Sequence, residues 1–405
     1  MKIIQINTLV NSGSTGRIAE SIGKLLIDQK HESYIAYGRG NQSSESKLIK
    51  VGNSVDQFCH GVKTRLFDKH GFGSRKPTYE LIKTIEVIQP DLIHLHNLHG
   101  YYINIELLFE YFRISNIPIV WTFHDCWPFT GHCSYFERVN CLKWQTECFN
   151  CPNSKEYPGS WFIDNSRENF LKKRELFTGV KNMTLVSPSK WLANHLNNSF
   201  LKDYPIEVIN NGIDLEKFRP VDSRYARQKY HLGNRKFLLG VANIWDKRKG
   251  LADFAKLRSV LDLNIDIVLV GLNLEQIKKL PEGIKGLTRT DSIDDLVALY
   301  SAAEIFINPT HTDNFPTTNI EAIACGTPII TYNTGGCPEA IDEQTGRVIS
   351  KGDITSLLNS VLDVLNVGKE QFSILCRNRA ESLYKSDDRY MDYLKLYENL
   401  TKQTS

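Results

Sequence analysis

The sequence predicts an α/β protein of two doubly wound parallel sheets, and three observations carry that expectation. Short apolar runs rich in β-branched and aromatic residues alternate with amphipathic stretches of helical period along most of the chain. With 405 residues the chain exceeds what one ordinary core organises, so two domains are expected. A turn-forming stretch, Asn210-Asn211-Gly212-Ile213-Asp214, parts two such alternating series and reads as a hinge.

In the first series the strand-like runs are residues 3–7, 33–37, 91–96, 117–123 and 183–187, with amphipathic stretches at 17–28 and 79–88. Another short strand is expected at the start of 205–220, ahead of the turn. The second series starts at Lys236, with runs at 237–242, 265–270, 305–308 and 328–332 and helical stretches at 251–261 and 294–303. Tyr390, Leu394 and Tyr397 stand at helical spacing and predict a terminal helix that packs on a body already built. The expected divisions are therefore 1–212, 213–380 and a terminal helix over 381–405. In open sheets of this kind ligands gather beyond the carboxyl ends of the strands, so two such domains suggest a cleft between facing edges.

Composition narrows the function classes. A hydrophobic fraction of 41% and a charged fraction of 23% are those of a soluble globular protein. A net charge of +3 makes no case for a nucleic-acid partner. The start, MKIIQIN, is interrupted by Gln5 and Asn7 and lacks a small-residue cleavage site. No run approaches the roughly 18 apolar residues that span a bilayer. A cytoplasmic protein is expected, at most peripheral to the inner face of a membrane. Its nine cysteines should then be thiols or metal ligands.

The most informative stretch is 310–326, THTDNFPTTNIEAIACG, which follows the strand at 305–308. Pro316 suits the first position of a helix, whose free N–H groups favour an anion. Asp313 and Glu321 flank that start, either as an acid/base pair, as charges favoured by the helix dipole, or as groups for the hydroxyls of a ligand. In 240–250, GVANIWDKRKG, Lys249 could offer a point charge to a diphosphate, or the loop could be merely basic. In 11–17, NSGSTGR, Gly13 and Gly16 precede a helix expected from near Thr15, either as a tight turn or as a close approach to a ligand.

His94 and His96 share one face of a strand and read as packing groups, while His124 ends its strand at the expected cleft edge. Cys126, Cys133, Cys141, Cys148 and Cys151 fall close together and end in C-F-N-C-P. Cys133, Cys141, Cys148 and Cys151 fit a closed, structural zinc site with Cys126 left over, or else reduced packing cysteines. Residues 55–76 place Phe58, Val62 and Leu66 on one stripe among Lys63, Arg65, Lys69, Arg75 and Lys76. That pattern fits either a helix packed on the sheet or an amphipathic segment on an anionic membrane.

Taken in order, GSTGRI at 13–18, HLHNLHGYYIN at 94–104, WTFHDCWPFTGHC at 121–133, the cysteine-rich insert (126–151), VINNGID at 208–214, RKG at 248–250 and DNFPTTNIEAIACGTPII at 313–330 form a pattern. By it the chain resembles the retaining GT-B glycosyltransferases of family 4, in the subgroup acting in colanic-acid, exopolysaccharide and O-antigen assembly. The resemblance implies two Rossmann-like domains facing a cleft, with the terminal helix returning to the N-terminal, acceptor-side domain. It implies a retaining hexosyltransferase that forms an α-linkage, using a nucleotide-sugar donor (UDP favoured, GDP the alternative) and a lipid-linked glycan acceptor. Glu321 matches the second acidic residue of the family's E-x7-E signature, which holds the donor ribose, and Asp313 takes the first acidic position. Phe315, Pro316 and Thr317 fall where backbone amides hold the sugar and distal phosphate. Lys249 matches the diphosphate-binding lysine; the arginine often found six residues earlier is Asn243 here, so Arg248 would assist. Gly16 matches the loop approaching the diphosphate, and His124 a histidine on the donor sugar. A front-face transfer, in which the leaving diphosphate helps take the acceptor proton, needs no protein nucleophile. No catalytic metal is expected, because Lys249 and helix N-termini can stabilise the departing diphosphate. A nucleotide-sugar epimerase of the same fold and a non-catalytic zinc-dependent assembly protein are the competing readings.

Overall fold

The computed structural model describes residues 1–40 and 42–402, so the last three residues of the expected terminal segment lie outside the described residues. The chain divides into two compact units, one of residues 1–210 with the chain from Arg389 onward, the other Asn211–Asp388.

The first unit is built on seven strands: β1 (Lys2–Leu9), β2 (Glu32–Arg39), β3 (Lys47–Lys50), β4 (Leu92–Leu95), β5 (Ile119–Thr122), β6 (Met183–Ser187) and β7 (Ile206–Val208). Their order is β3-β2-β1-β4-β5-β6-β7, and every pair is parallel. β1 lies inside, with Ile4 opposite Tyr34 on one side and Ile93 on the other. Its apolar run follows from that position, since a parallel strand covered on both faces has no wet side. Ile4, Ile6, Ile93, Leu95 and Trp121 pack on one face; Ile3, Leu92, Val120 and Val186 pack on the other. The helix Ser386–Lys402 covers part of this second face with Tyr390, Tyr393, Leu394 and Tyr397. Its Tyr397 hydroxyl reaches His94 Nδ1 at 2.7 Å, and Tyr393 reaches Thr122 Oγ1 at 3.1 Å.

The second unit has six parallel strands: β8 (Lys236–Val241), β9 (Ile265–Val270), β10 (Ile284–Leu287), β11 (Ile305–Asn308), β12 (Ile329–Tyr332) and β13 (Gly346–Ile349). The order is β10-β9-β8-β11-β12-β13. β8 and β11 are therefore neighbours although β9 and β10 intervene in the chain, and strand order reverses between them. In doubly wound sheets such a reversal opens a crevice beyond the carboxyl ends. The loops that leave β8 and β11 carry Lys249 and Asp313.

Three edge strands, β3, β10 and β13, carry no sequence expectation. Each has four residues and incomplete burial, so none shows the apolar run of an interior strand. Two other boundaries differ from the sequence reading. The first helix begins at Gly13 rather than near Thr15, because Ser12 is extended and Gly13 opens the turn at φ +63°. Residues 55–76 are not one amphipathic segment. The helix Ser54–Phe67 stops at Asp68, which takes a left-handed conformation (φ 50°), and Arg75 opens the next helix, Arg75–Ile88. Between them His70, Gly71 and Phe72 turn inward and are buried.

Candidate functional site

In the second unit, β8 runs into a loop that ends in a short helical turn, Lys247–Lys249, capped by Asp246. Gly250 follows at φ +76°, and any Cβ there would stand 2.1 Å from the Pro309 carbonyl oxygen. Only glycine lets the β8 loop press against the β11 loop in this way. The two are then laced together: His311 N donates to Arg248 O at 2.7 Å, and Arg248 Nη1 donates to Thr312 O at 3.2 Å.

This lacing brings Lys249 Nζ to 2.5 Å from Asp313 Oδ2, with Arg248 Nη1 at 3.9 Å from the same oxygen. Burial pushes the Asp313 carboxyl up, but Lys249, Arg248 and the Asn314 N–H more than offset it and hold it below the usual carboxylate range. Asp313 is thus an ionised partner for cations and a poor proton donor. The helix Thr317–Ala324 begins directly after it. Pro316 is the residue before the first helical position and not that position itself, and its extended ψ of 122° explains why. Phe315 packs inward on Tyr384, with ring centroids 5.8 Å apart, so its side chain belongs to the core and only its backbone can serve a ligand. Glu321 lies in the same helix, buried, and its Oε2 accepts from the Tyr300 hydroxyl at 2.9 Å. Lys249, Arg248, Asp313, Pro316 and Thr317 therefore come together at one sheet edge, with Glu321 farther along the same helix.

Sequence reasoning missed the groups that hold these residues in place. Tyr300 orients Glu321; Asn308 Nδ2 donates to Asn319 Oδ1 at 2.8 Å and ties β11 to the helix. His311 Nε2 meets the buried Asp253 at 2.5 Å. None has a local signal, since each pairs residues eleven or more positions apart.

In the first unit Gly16 lies in the first helix close to the end of β1, where a Cβ would stand 3.3 Å from Asn11 N and Leu9 O. His124 follows β5 and joins a buried chain of hydrogen bonds. Gln5 Nε2 donates to Ala19 O at 2.8 Å, which turns Gln5 Oε1 toward His96 Nε2 at 3.0 Å. His96 is fully buried, and desolvation followed by the neighbouring histidines holds it well below its ordinary value, so the ring is neutral. A neutral His96 that donates from Nε2 accepts at Nδ1, so His124 Nε2, 3.0 Å away, is the donor there. Burial lowers His124 to about 4, offset in part by Asp125. The chain thus leaves His124 neutral with Nδ1 as its acceptor nitrogen. His99 is turned elsewhere, to Asp125 Oδ2 at 2.7 Å and the Tyr157 hydroxyl at 3.0 Å.

Cys133, Cys141, Cys148 and Cys151 line one small apolar cavity with His132, Phe136 and Trp144, while Cys126 is buried in the core. All nine cysteines are free thiols. Cys148 Sγ accepts from Gly131 N at 3.3 Å. The four sulfurs are neighbours, yet among the described residues no three His, Cys, Asp or Glu side chains gather as a metal would require. What anchors the insert is the buried contact of His132 Nδ1 with Asp68 Oδ1 at 2.5 Å. Burial disfavours the charged ring, and Asp68 outweighs that and raises the His132 pKa.

Comparison with known proteins agrees with this division. A family model described as Glycosyltransferase Family 4 matches residues 15–217, and one described as Glycosyl transferases group 1 matches residues 235–367. The putative colanic acid biosynthesis glycosyl transferase WcaC of Escherichia coli (strain K12) is 24% identical, over 99% of this chain and 100% of the relative. An N,N'-diacetylbacillosaminyl-diphospho-undecaprenol alpha-1,3-N-acetylgalactosaminyltransferase of Campylobacter jejuni is 27% identical, over 52% of this chain and 58% of that protein. The crystal structure of Anabaena Alr3699/HepE in complex with UDP-glucose superposes with a TM-score of 0.69 at 15% identity, covering 98% of this chain and all of that one. The fold is GT-B, with two Rossmann-like domains.

Proposed function

The chain belongs to glycosyltransferase family 4, and from that premise we propose that it moves a hexose from a nucleotide-diphosphate donor to a lipid-linked glycan during assembly of a bacterial surface polysaccharide. UDP is favoured over GDP as the donor nucleotide, in keeping with the UDP-glucose held by the Anabaena neighbour. The name of the Campylobacter relative, which describes transfer onto a diphospho-undecaprenol, supports the acceptor class. The name of the Escherichia coli relative supports the polysaccharide setting.

The observation that carries this reading is the Lys249–Asp313 contact with Arg248 beside it, at the switch point of the second sheet. Lys249 and the N-terminus of the helix Thr317–Ala324 are suited to the charge that grows on a departing diphosphate. Asp313 holds the Lys249 ammonium in place beforehand, and Arg248 adds a second cation. Glu321, oriented by Tyr300, takes the ribose hydroxyls, and the backbone from Phe315 to Thr317 takes the sugar and distal phosphate. The resemblance assigns Gly16 to the diphosphate and His124 to the donor sugar, where its Nδ1 would accept from a hydroxyl.

Retention and an α-linkage are part of the proposal. A carboxylate pinned by two cations is a poor general acid, and Glu321 is engaged with a tyrosine, so neither is offered as a nucleophile. The leaving diphosphate takes the acceptor proton. For the cysteine-rich insert a structural role is proposed. Cys133, Cys141, Cys148 and Cys151 would hold zinc only after their thiols draw in around the cavity, and no step of transfer runs through it. A lipid-linked acceptor implies work at the cytoplasmic face of a membrane without crossing it. Among the described residues no helix is long and apolar enough to span one.

Incubation with a panel of UDP- and GDP-sugars tests the proposal without the acceptor. Protein-dependent hydrolysis of one donor is expected. An unchanged panel, with no binding of any nucleotide sugar, would overturn it, and conversion to an epimer would favour an epimerase.

A further inference from the structure

The helix Ser54–Phe67 is turned inside out. Its buried residues are His60, Gly61 and Thr64, none of them a large apolar group. Its exposed residues include Val55 (69% exposed), Phe58 (72%), Val62 and Phe67. A helix covering a sheet normally does the reverse and puts its apolar stripe toward the core. Here the inward side is occupied by hydrogen bonds: His60 Nδ1 to Ser74 Oγ at 2.9 Å, and the N–H groups of Gly71 and Gly73 to His60 Nε2 at 3.1 and 3.2 Å.

A second apolar element is fastened to the end of this helix. Trp161 N donates to Arg65 O at 2.8 Å, and Asn165 Nδ2 donates to Phe67 O at 2.7 Å. The loop between them shows Trp161 (58% exposed), Phe162 (78%) and Ile163 to solvent. Lys155 braces it by donating to the Trp161 carbonyl at 2.6 Å. These bonds place Trp161, Phe162 and Ile163 beside the end of the helix that exposes Val62 and Phe67, so the apolar groups are gathered rather than scattered singly.

The surface also carries charge of both signs: Asp164 follows Ile163 and Asp56 lies on the helix, while three cations stand without an ion-pair partner among the described residues. Lys63 and Lys155 donate to backbone carbonyls, and Arg65 donates to the Gly61 carbonyl and lies over the Trp161 ring at 5.9 Å. None of the three has a carboxylate within 4.0 Å among the described residues, whereas Lys69 is paired with Glu168. Exposed aromatic groups beside three cations that have no ion-pair partner match the interface of an anionic bilayer, which takes the rings at headgroup depth and the cations at its charged surface.

We propose that the outward face of the helix Ser54–Phe67, together with the Trp161-Phe162-Ile163 loop, is a docking surface for anionic bilayer lipid. The assignment deepens the membrane setting proposed above but does not rest on the identity of donor or acceptor. Co-sedimentation of the full chain with vesicles of phosphatidylglycerol and phosphatidylcholine, against pure phosphatidylcholine, tests it. Wild-type protein should partition onto the anionic vesicles, and less so in high salt. The double substitution Trp161→Ser with Phe162→Ser should lower that partitioning at least about tenfold, and Lys63→Glu with Lys155→Glu should lower it further than on neutral vesicles. The aromatic pair is on the surface, so its thermal melting should be unchanged. Equal partitioning of wild type and the aromatic variant overturns the proposal, as does wild type that ignores anionic vesicles. A change in sedimentation coefficient of the lipid-free aromatic variant also overturns it, by making the patch a face between copies of this chain. Donor hydrolysis, measured alongside without lipid, reports on the transfer reading separately.

Discussion

In the first unit the buried polar line from Ala19 through Gln5 and His96 to His124 is neutral from end to end, whereas in the second the contact of Lys249 with Asp313 and Arg248 is ionic. The same low dielectric acts on both with opposite results. Burial strips the proton charge from the histidines and fixes one tautomer, so the line can present a directed acceptor to a hydroxyl. Burial also strengthens the attraction of an ammonium for a carboxylate, so the second unit keeps its charges and can meet a phosphate. Nine of the 11 histidines lie in the first unit, with only His231 and His311 in the second.

Acid should distinguish the two units. His60, His70, His94 and His96 all titrate below 6.5 in the folded chain, chiefly through burial. The unfolded chain then binds more protons, so stability is complete above about pH 6.5 and is lost as pH falls toward the depressed folded values. Each histidine removes up to about 1.4 kcal/mol per pH unit in that window. Hydrogen exchange read by mass spectrometry between pH 7 and 5 should show the first unit opening before the second. A uniform response would erase the contrast.

Removing the ionic partner is the next largest test. Lys249→Ala should reduce transfer about 10²–10³-fold, the range for loss of one preorganised charge or donor at a developing anion. The pH of acid unfolding in the first unit should not move. Transfer at the wild-type rate under saturating donor would remove Lys249 from the site.

Cys148→Ser should lower stability by about 1–2 kcal/mol, since its sulfur is packed in the insert's cavity, and leave kcat within about twofold. Metal analysis of gently purified protein sharpens the result. Stoichiometric zinc would show that the four thiols close around an ion, and its absence would leave them as packing groups. Tyr300→Phe, the mildest change, removes one hydrogen bond to Glu321 and should raise the donor KM by about fivefold, roughly 1 kcal/mol. Unchanged donor affinity there would mean that Glu321 needs no orienting partner.

What could be read from the sequence follows the range of the forces involved. β1, β4, β5, β8, β9 and β11 announce themselves because a strand covered on both faces is predominantly apolar. The edge strand Lys47–Lys50 does not, because water on one side permits lysines. Lys249, Asp313 and Glu321 stand out through local motifs. That Lys249 and Asp313 touch depends on Gly250 passing the Pro309 carbonyl, a contact between loops 59 positions apart that no window of sequence contains. The stripe of Phe58 and Val62 was visible as a stripe, but whether it faced inward was not. That was decided by His60, whose partners Gly71 and Gly73 lie beyond the helix.

The return of the helix Ser386–Lys402 to the first sheet has a consequence for synthesis. Its tyrosines and Leu394 cover Ile3, Val120 and Val186, and Tyr397 caps His94. A ribosome completes residues 1–210 and then makes the entire second unit before this cover exists. At about 5–20 residues per second the first sheet waits roughly ten to forty seconds with part of one face open. During that interval the nascent chain offers an apolar patch of the sheet to whatever chaperone is at hand, while the second unit has every strand it needs as soon as it emerges.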